Sequence, residues 1–81
     1  MMAENLKKYN AAFKEVFGVD DAFLNTLVYK QSDEWNSMGQ IALVSALEVA
    51  FGIDFDMEDI FALTSYEVGK ELLRTKFDIE I

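Results

Sequence analysis

Leu6, Tyr9, Phe13, Val16 and Phe17 recur at spacings of three and four residues, with Ala12 on the same side and lysines and Glu15 on the other. Only a helix gathers such positions onto one face. Gly18 stands where a left-handed C-cap belongs, so the first helix is predicted over residues 3–17. From Val19 to Asn36 the pattern breaks into turn formers (Asp20, Asp21, Asn25, Ser32, Asp33) mixed with Phe23, Leu24, Leu27, Val28, Tyr29 and Trp35. A structureless loop of that length is unusual in a compact domain. Its apolar residues predict that it packs along the helices, with a short turn at 21–25. It is expected to be a long crossover that lets its flanking helices run the same way.

A second helix is expected to begin at Ser37, which forms a Ser-x-x-Gln capping box with Gln40, and to end near Gly52. At about 100° per residue, Leu43, Ala46, Leu47, Ala50 and Phe51 share a core face, and Met38, Ile41, Ser45, Glu48 and Val49 fall opposite. A solvent-facing stripe normally carries many charges. This one is small and apolar with a single acid, the composition of a face on which something docks. Asp56 caps a short third helix through Met57, Ile60, Phe61 and Leu63, with Glu58 and Asp59 in its first turn. Thr64 and Glu67 form another capping box, and Tyr66, Val68, Leu72, Leu73 and Phe77 give the fourth helix its apolar side. Gly69 costs that helix about 1 kcal/mol relative to alanine, offset by close packing or by space for a buried ligand. The predicted fold is all-α: a small four-helix bundle with a long loop between helices 1 and 2 and a short third helix.

The 81 residues form one expected domain, 1–81, in a chain that buries only about 60 to 65% of its unfolded surface. No spare volume remains for a deep enzyme cleft. The chain has neither cysteine nor histidine, which removes disulfides, thiolate metal sites, the commonest general base and the commonest zinc ligand. No signal-like apolar run opens it, and nothing approaches about 18 consecutive apolar residues. A cytoplasmic protein without membrane insertion is expected. Its net charge of −8 is concentrated: residues 31–69 hold Asp33, Glu34, Glu48, Asp54, Asp56, Glu58, Asp59 and Glu67 and no basic residue, while both flanking segments balance. Such a surface repels nucleic acid and anionic lipid and attracts basic patches on proteins.

Asp54, Asp56, Glu58 and Asp59 alternate as the acids of a calcium loop do, but the required sixth-position glycine is Asp59 and the twelfth-position glutamate is Ser65. No dedicated metal site is expected. The glycines at 18, 39, 52 and 69 make no phosphate loop, and no serine has a histidine or Ser-x-x-Lys partner to activate it. Catalysis by this chain alone is not expected.

The stretch Glu34-Trp35-Asn36-Ser37-Met38-Gly39-Gln40-Ile41, followed by Leu43 to Leu47-Glu48, Phe51, an acidic turn and a short helix ending in Leu63-Thr64-Ser65, resembles the acyl carrier protein family. The likeness runs over nearly the whole chain. It implies that Ser37 carries a 4′-phosphopantetheine arm through a phosphodiester, with acyl groups held as thioesters on the arm's thiol. By local context alone, Ser37 is a structural N-cap worth about 1 kcal/mol. A phosphodiester at a helix N-terminus also sits favourably in the positive end of the macrodipole.

Two departures from the family pattern stand out. Asn36 replaces the aspartate that usually precedes the serine, which bears on recognition by a general transferase. Glu48 is the only acid of the second helix, acidity being displaced to Asp54, Asp56, Glu58 and Asp59. The reading is a discrete, monomeric acyl carrier, similar to the stand-alone carriers of specialised bacterial pathways and serving fatty acid, polyketide or related biosynthesis. The resemblance implies a phosphopantetheinyl transferase and acyl-loading ligases or synthases with basic docking surfaces as partners. They would meet Asn36, Met38, Ile41, Glu48 and the Asp54–Asp59 acids. Leu47, Phe51, Ile60, Leu63, Val68 and Leu72 would line an acyl chain, though they are core residues first. The competing reading is a non-carrier acidic adaptor for a basic protein, with Ser37 a plain cap.

Overall fold

Aromatic residues from distant parts of the chain decide how the helices meet. The computed structural model describes residues 2–29 and 35–81. It contains α1 (Met2–Phe17), a 3-10 helix (Asp21–Thr26), α2 (Ser37–Phe51), α3 (Met57–Ala62) and α4 (Tyr66–Lys76). The described residues are mostly helical; their one β feature is an isolated bridge between Val28 and Ser65. The fold is all-α, as the periodicity predicts. Gly18 and Gly52 take left-handed conformations (φ 65° and 63°) immediately after α1 and α2, where a side chain would be strained.

Tyr9, Phe13 and Phe17, on successive turns of α1, are buried against Trp35 and Tyr66. Phe13 meets Trp35 and Tyr66 edge-on at 5.4 and 5.3 Å between ring centroids, the tilted geometry that aromatic quadrupoles favour. Trp35, two residues before α2, also lies 5.3 Å from Phe17 at the end of α1. Asn5 and Lys8, near the start of α1, share a surface cleft with Ala50 and Phe51 near the end of α2. The two helices therefore run antiparallel, and the expected parallel pair is corrected. Tyr66, opening α4, packs 5.2 Å from Tyr9, and Asn5 donates to the Glu80 carbonyl at 2.8 Å. α4 is likewise antiparallel to α1.

Between antiparallel helices the connection does not need to traverse the molecule, and its described part, up to Tyr29, runs to the side. It turns through the 3-10 helix near the predicted place, buries Leu24 and Leu27, and reaches the start of α4. There Tyr29 N–H donates to Thr64 O at 2.8 Å and Tyr66 N–H to Leu27 O at 3.2 Å. Those bonds shift the cap of α4 by one residue from expectation. Ser65 Oγ, not Thr64, accepts from Val68 N–H at 3.0 Å, and Glu67 pairs with Lys70 at 3.1 Å instead of closing a box. Asp33 and Glu34 of the acidic block lie outside the described residues.

The buried face of α2 is rotated relative to expectation. Gln40, Leu43, Val44 and Leu47 are buried, while Ala46, Ala50 and Phe51 are only half-buried. The capping box assigned to Ser37 and Gln40 is therefore corrected. Gln40 turns inward, 5% exposed, where its Oε1 accepts from the Trp35 indole N–H at 2.6 Å. Its Nε2 donates to the carbonyls of Ile60 at 2.7 Å and Leu63 at 3.0 Å. An indole N–H can only donate and a carbonyl can only accept, so one orientation of the amide satisfies all three partners. The short α3 is held to the first turn of α2 by this side chain. On α4, Gly69 serves close packing: a Cβ there would overlap the Tyr9 hydroxyl and lie 2.8 Å from Leu63 Cδ1.

Gln40→Leu keeps the volume but leaves a buried indole N–H and two carbonyls without their partner, at about 1–3 kcal/mol for each unsatisfied group. The variant is expected to lose at least about 3 kcal/mol in urea unfolding. Trp35 fluorescence should report the same transition, and an unchanged midpoint would show that the three bonds contribute nothing.

Candidate functional site

The first turn of α2 is built by a division of labour between neighbours. Trp35 is fully buried and anchors the chain, and Asn36 follows in an extended conformation (φ −103°, ψ −171°). Its Oδ1 accepts from Gly39 N–H at 3.0 Å and its carbonyl from Gln40 N–H at 2.9 Å. Asn36 is thus the N-cap. Ser37, expected in that role, is the first helical residue, and its exposed Oγ lies 3.4 Å from the Tyr29 hydroxyl. The amides of Ser37 and Met38 precede the first intrahelical acceptor and point out of the helix end. No acidic residue occupies this first turn.

The described residues of α2 and α3 near this turn expose several large apolar side chains. Met38 (81% exposed) and Ile41 (69%) extend along α2, and α3, tied to this turn by Gln40, exposes Met57 and Phe61. The sequence reading missed Gln40 as an organiser, although it lies three and seven residues before Leu43 and Leu47 and so on their face. Tyr29 carries no local signal: tertiary contacts, among them its backbone bond to Thr64 and its ring 6.3 Å from that of Trp35, set it beside Ser37.

The acids do not form one free surface. Glu48 is half-buried and accepts from Phe55 N–H at 2.8 Å, fastening the turn after α2. Asp56 caps α3, as expected, in a reciprocal box with Asp59. Asp59 is 4% exposed, and Lys76 Nζ lies 2.7 Å from it and 2.8 Å from Asp56. Hydrogen bonding from Lys76 holds the Asp56 carboxyl below its ordinary value, and hydrogen bonding to Asp56 and then Asp59 raises the Lys76 ammonium above its own. Asp54 and Glu58 remain exposed and join no ion pair among the described residues. No group of three or more acids among those residues is placed to hold a metal ion.

Of the residues read as lining an acyl chain, Leu47 and Leu63 are sealed in the core, Phe51, Ile60 and Leu72 are half-buried, and Val68 is exposed. No helix among the described residues is long and apolar enough to cross a membrane. Comparisons with protein-family models, curated proteins and solved structures return no match.

Removing Lys76 tests the acid pair. Because the folded Asp56 carboxyl sits below 3.8, its contribution is complete above that pH and disappears as pH falls through the folded value. Lys76→Met is expected to destabilise the protein at pH 7, where buried Asp59 loses its counter-ion. The gap from wild type should narrow as pH falls through the folded Asp56 value, where that partner of Lys76 loses its charge. Thermal melts of both proteins between pH 2.5 and 7 check this, and a gap independent of pH would refute an electrostatic role.

Proposed function

We infer that this chain is a discrete acyl carrier whose helices form a four-helix carrier bundle, with Ser37 bearing a 4′-phosphopantetheine arm. The observation that carries the reading is the exposed Ser37 hydroxyl at the first position of α2, released from capping by Asn36. The residues present suit a phosphodiester at that oxygen. The outward-pointing amides of Ser37 and Met38 and the positive end of the α2 dipole favour an anion, and no acid in the first turn opposes it. Once attached, the arm supplies a thiol on which acyl groups are carried as thioesters, chemistry that a chain without cysteine lacks.

Met38 and Ile41 offer partner enzymes an apolar contact beside Ser37, and Asp54 and Glu58 add exposed acidity farther along the α2–α3 region. Basic loading enzymes and the transferase are steered by the surrounding acidity. Lodging an acyl chain among Leu47, Phe51, Ile60, Leu63, Val68 and Leu72 would require opening a core in which Leu47 and Leu63 have no exposed surface. The adaptor reading draws less support, because Glu48, Asp56 and Asp59 are engaged within the fold.

Incubation with coenzyme A and a broad-specificity phosphopantetheinyl transferase is expected to add one arm per chain by intact mass. Ser37→Ala should add none and shift stability by no more than about 0.5 kcal/mol, since the residue is not the cap. Asn36→Ala should lose about 1 kcal/mol, whereas Asn36→Asp should keep the cap and speed arm transfer, most at low salt. Equal labelling of wild type and Ser37→Ala, mapped to another residue, would sink the carrier assignment.

A further inference from the structure

The face shared by α1 and α2 carries an open apolar groove of about 470 Å³, at a distance from Ser37 along α2. Its floor is small, formed by Ala11 and Ala12 of α1 and Ala46 and Ala50 of α2. Its rim holds Lys8 and Glu15, one heptad apart on α1, and Val49, which is 86% exposed. Seven residues separate Lys8 from Glu15 by about 10 Å along the helix, too far for them to pair with each other. Both are exposed, and neither takes part in the ion pairs among the described residues.

We propose that a second copy of this chain occupies the groove in a two-fold, antiparallel association. A two-fold axis crossing α1 between Ala11 and Ala12 sets Lys8 of each copy opposite Glu15 of the other, giving two ion pairs from one self-complementary contact. Alanine at the crossing point allows the two α1 helices to approach closely. Val49 lies near the Lys8 end of the groove, because α2 runs antiparallel to α1. The same axis therefore carries it to the Glu15 end of the other copy, over Ser45 and Ala46. The one large apolar side chain on the rim thus meets a small-residue floor.

The groove rim carries one cation and one anion, so the net charge of −8 resides elsewhere on the chain. Long-range repulsion opposes the contact while short-range pairing favours it. A contact of groove size falls in the small, transient class of interfaces. The association is therefore weak and concentration-dependent, and the monomer expected from the sequence is the form present when dilute. It does not depend on the carrier reading and leaves Ser37 free.

Sedimentation velocity from micromolar to millimolar protein at physiological ionic strength, where repulsion beyond about 8 Å is screened, tests it. The wild-type weight-average mass is expected to rise toward twice that of the monomer. Lys8→Glu and Glu15→Lys should each remain monomeric, since each sets like charges together twice. An equimolar mixture of those two variants should associate, because both crossed pairs become complementary again. The double variant, which keeps the net charge at −8, should recover wild-type behaviour. Val49→Lys, at a side chain that the fold barely uses, should abolish association with an unchanged melting temperature. A wild-type mass that stays monomeric throughout, a mixture no more associated than its components, or undiminished association of Val49→Lys would each overturn the proposal.

Discussion

The carboxamide of Gln40 is the joint on which the arrangement of this small protein turns. One side chain fastens Trp35, two residues before α2, to the end of α3, through the Ile60 and Leu63 carbonyls. A domain of this size has roughly 4–12 kcal/mol of total stability. Leaving one such buried group unpaired costs about 1–3 kcal/mol, so the three partners together represent a large share of the margin. Burial also makes the joint directional, because only one orientation of the amide satisfies both the indole and the carbonyls. α3 is too short to persist by its own helical propensity; its position is set by what holds it from outside.

Electrostatics supply a second fastening at the other end of α3. Seven basic residues serve fifteen acidic ones, so the placement of each lysine matters. Lys76, in the last turn of α4, contacts both acids of the α3 capping box, one of them almost wholly buried. A block that reads in sequence as uniformly acidic surface thus contains two different populations. Glu48, Asp56 and Asp59 are spent on internal hydrogen bonds, whereas Asp54 and Glu58 face outward. Among the described acids from Glu48 to Asp59, a partner steered by the acidic field would meet Asp54 and Glu58 as free carboxylates.

The helices themselves were legible because their signals are local. The apolar stripe of α1, the left-handed glycines at 18 and 52 and the Asp56 cap each depend on residues within a turn or two of one another. The two misplaced caps share a different cause. Asn36-Ser37 and Thr64-Ser65 are each pairs of adjacent capping residues, and local propensity ranks them nearly equally. Tertiary contacts decide between them. Burial of Trp35 fixes Asn36 in extended backbone, and the bonds from Tyr29 to Thr64 and from Tyr66 to Leu27 fix where α4 begins. The rotation of the α2 face has a related origin: Gln40 reads locally as a polar capping partner of Ser37, although its register lies with Leu43 and Leu47. The direction of α1 relative to α2 was misread because loop length fixes what a connection can reach, not where it goes.

A one-residue shift in the cap matters more for chemistry than for stability. A serine at the N-cap position commits its oxygen to a backbone amide of the helix, and modification there would compete with the cap. A serine one position later lies within the same field of amides but keeps its hydroxyl uncommitted to the helix, exposed beside the Tyr29 hydroxyl. Asparagine can serve as that cap without charge, since an amide oxygen accepts the Gly39 N–H as a carboxylate would. An aspartate would add about 0.3–1 kcal/mol through the helix dipole. It would also bring a negative charge beside the oxygen to be modified. The fold therefore needs an acceptor at residue 36 but does not need an anion. Whether that residue is charged bears on what approaches Ser37, and only weakly on whether α2 forms.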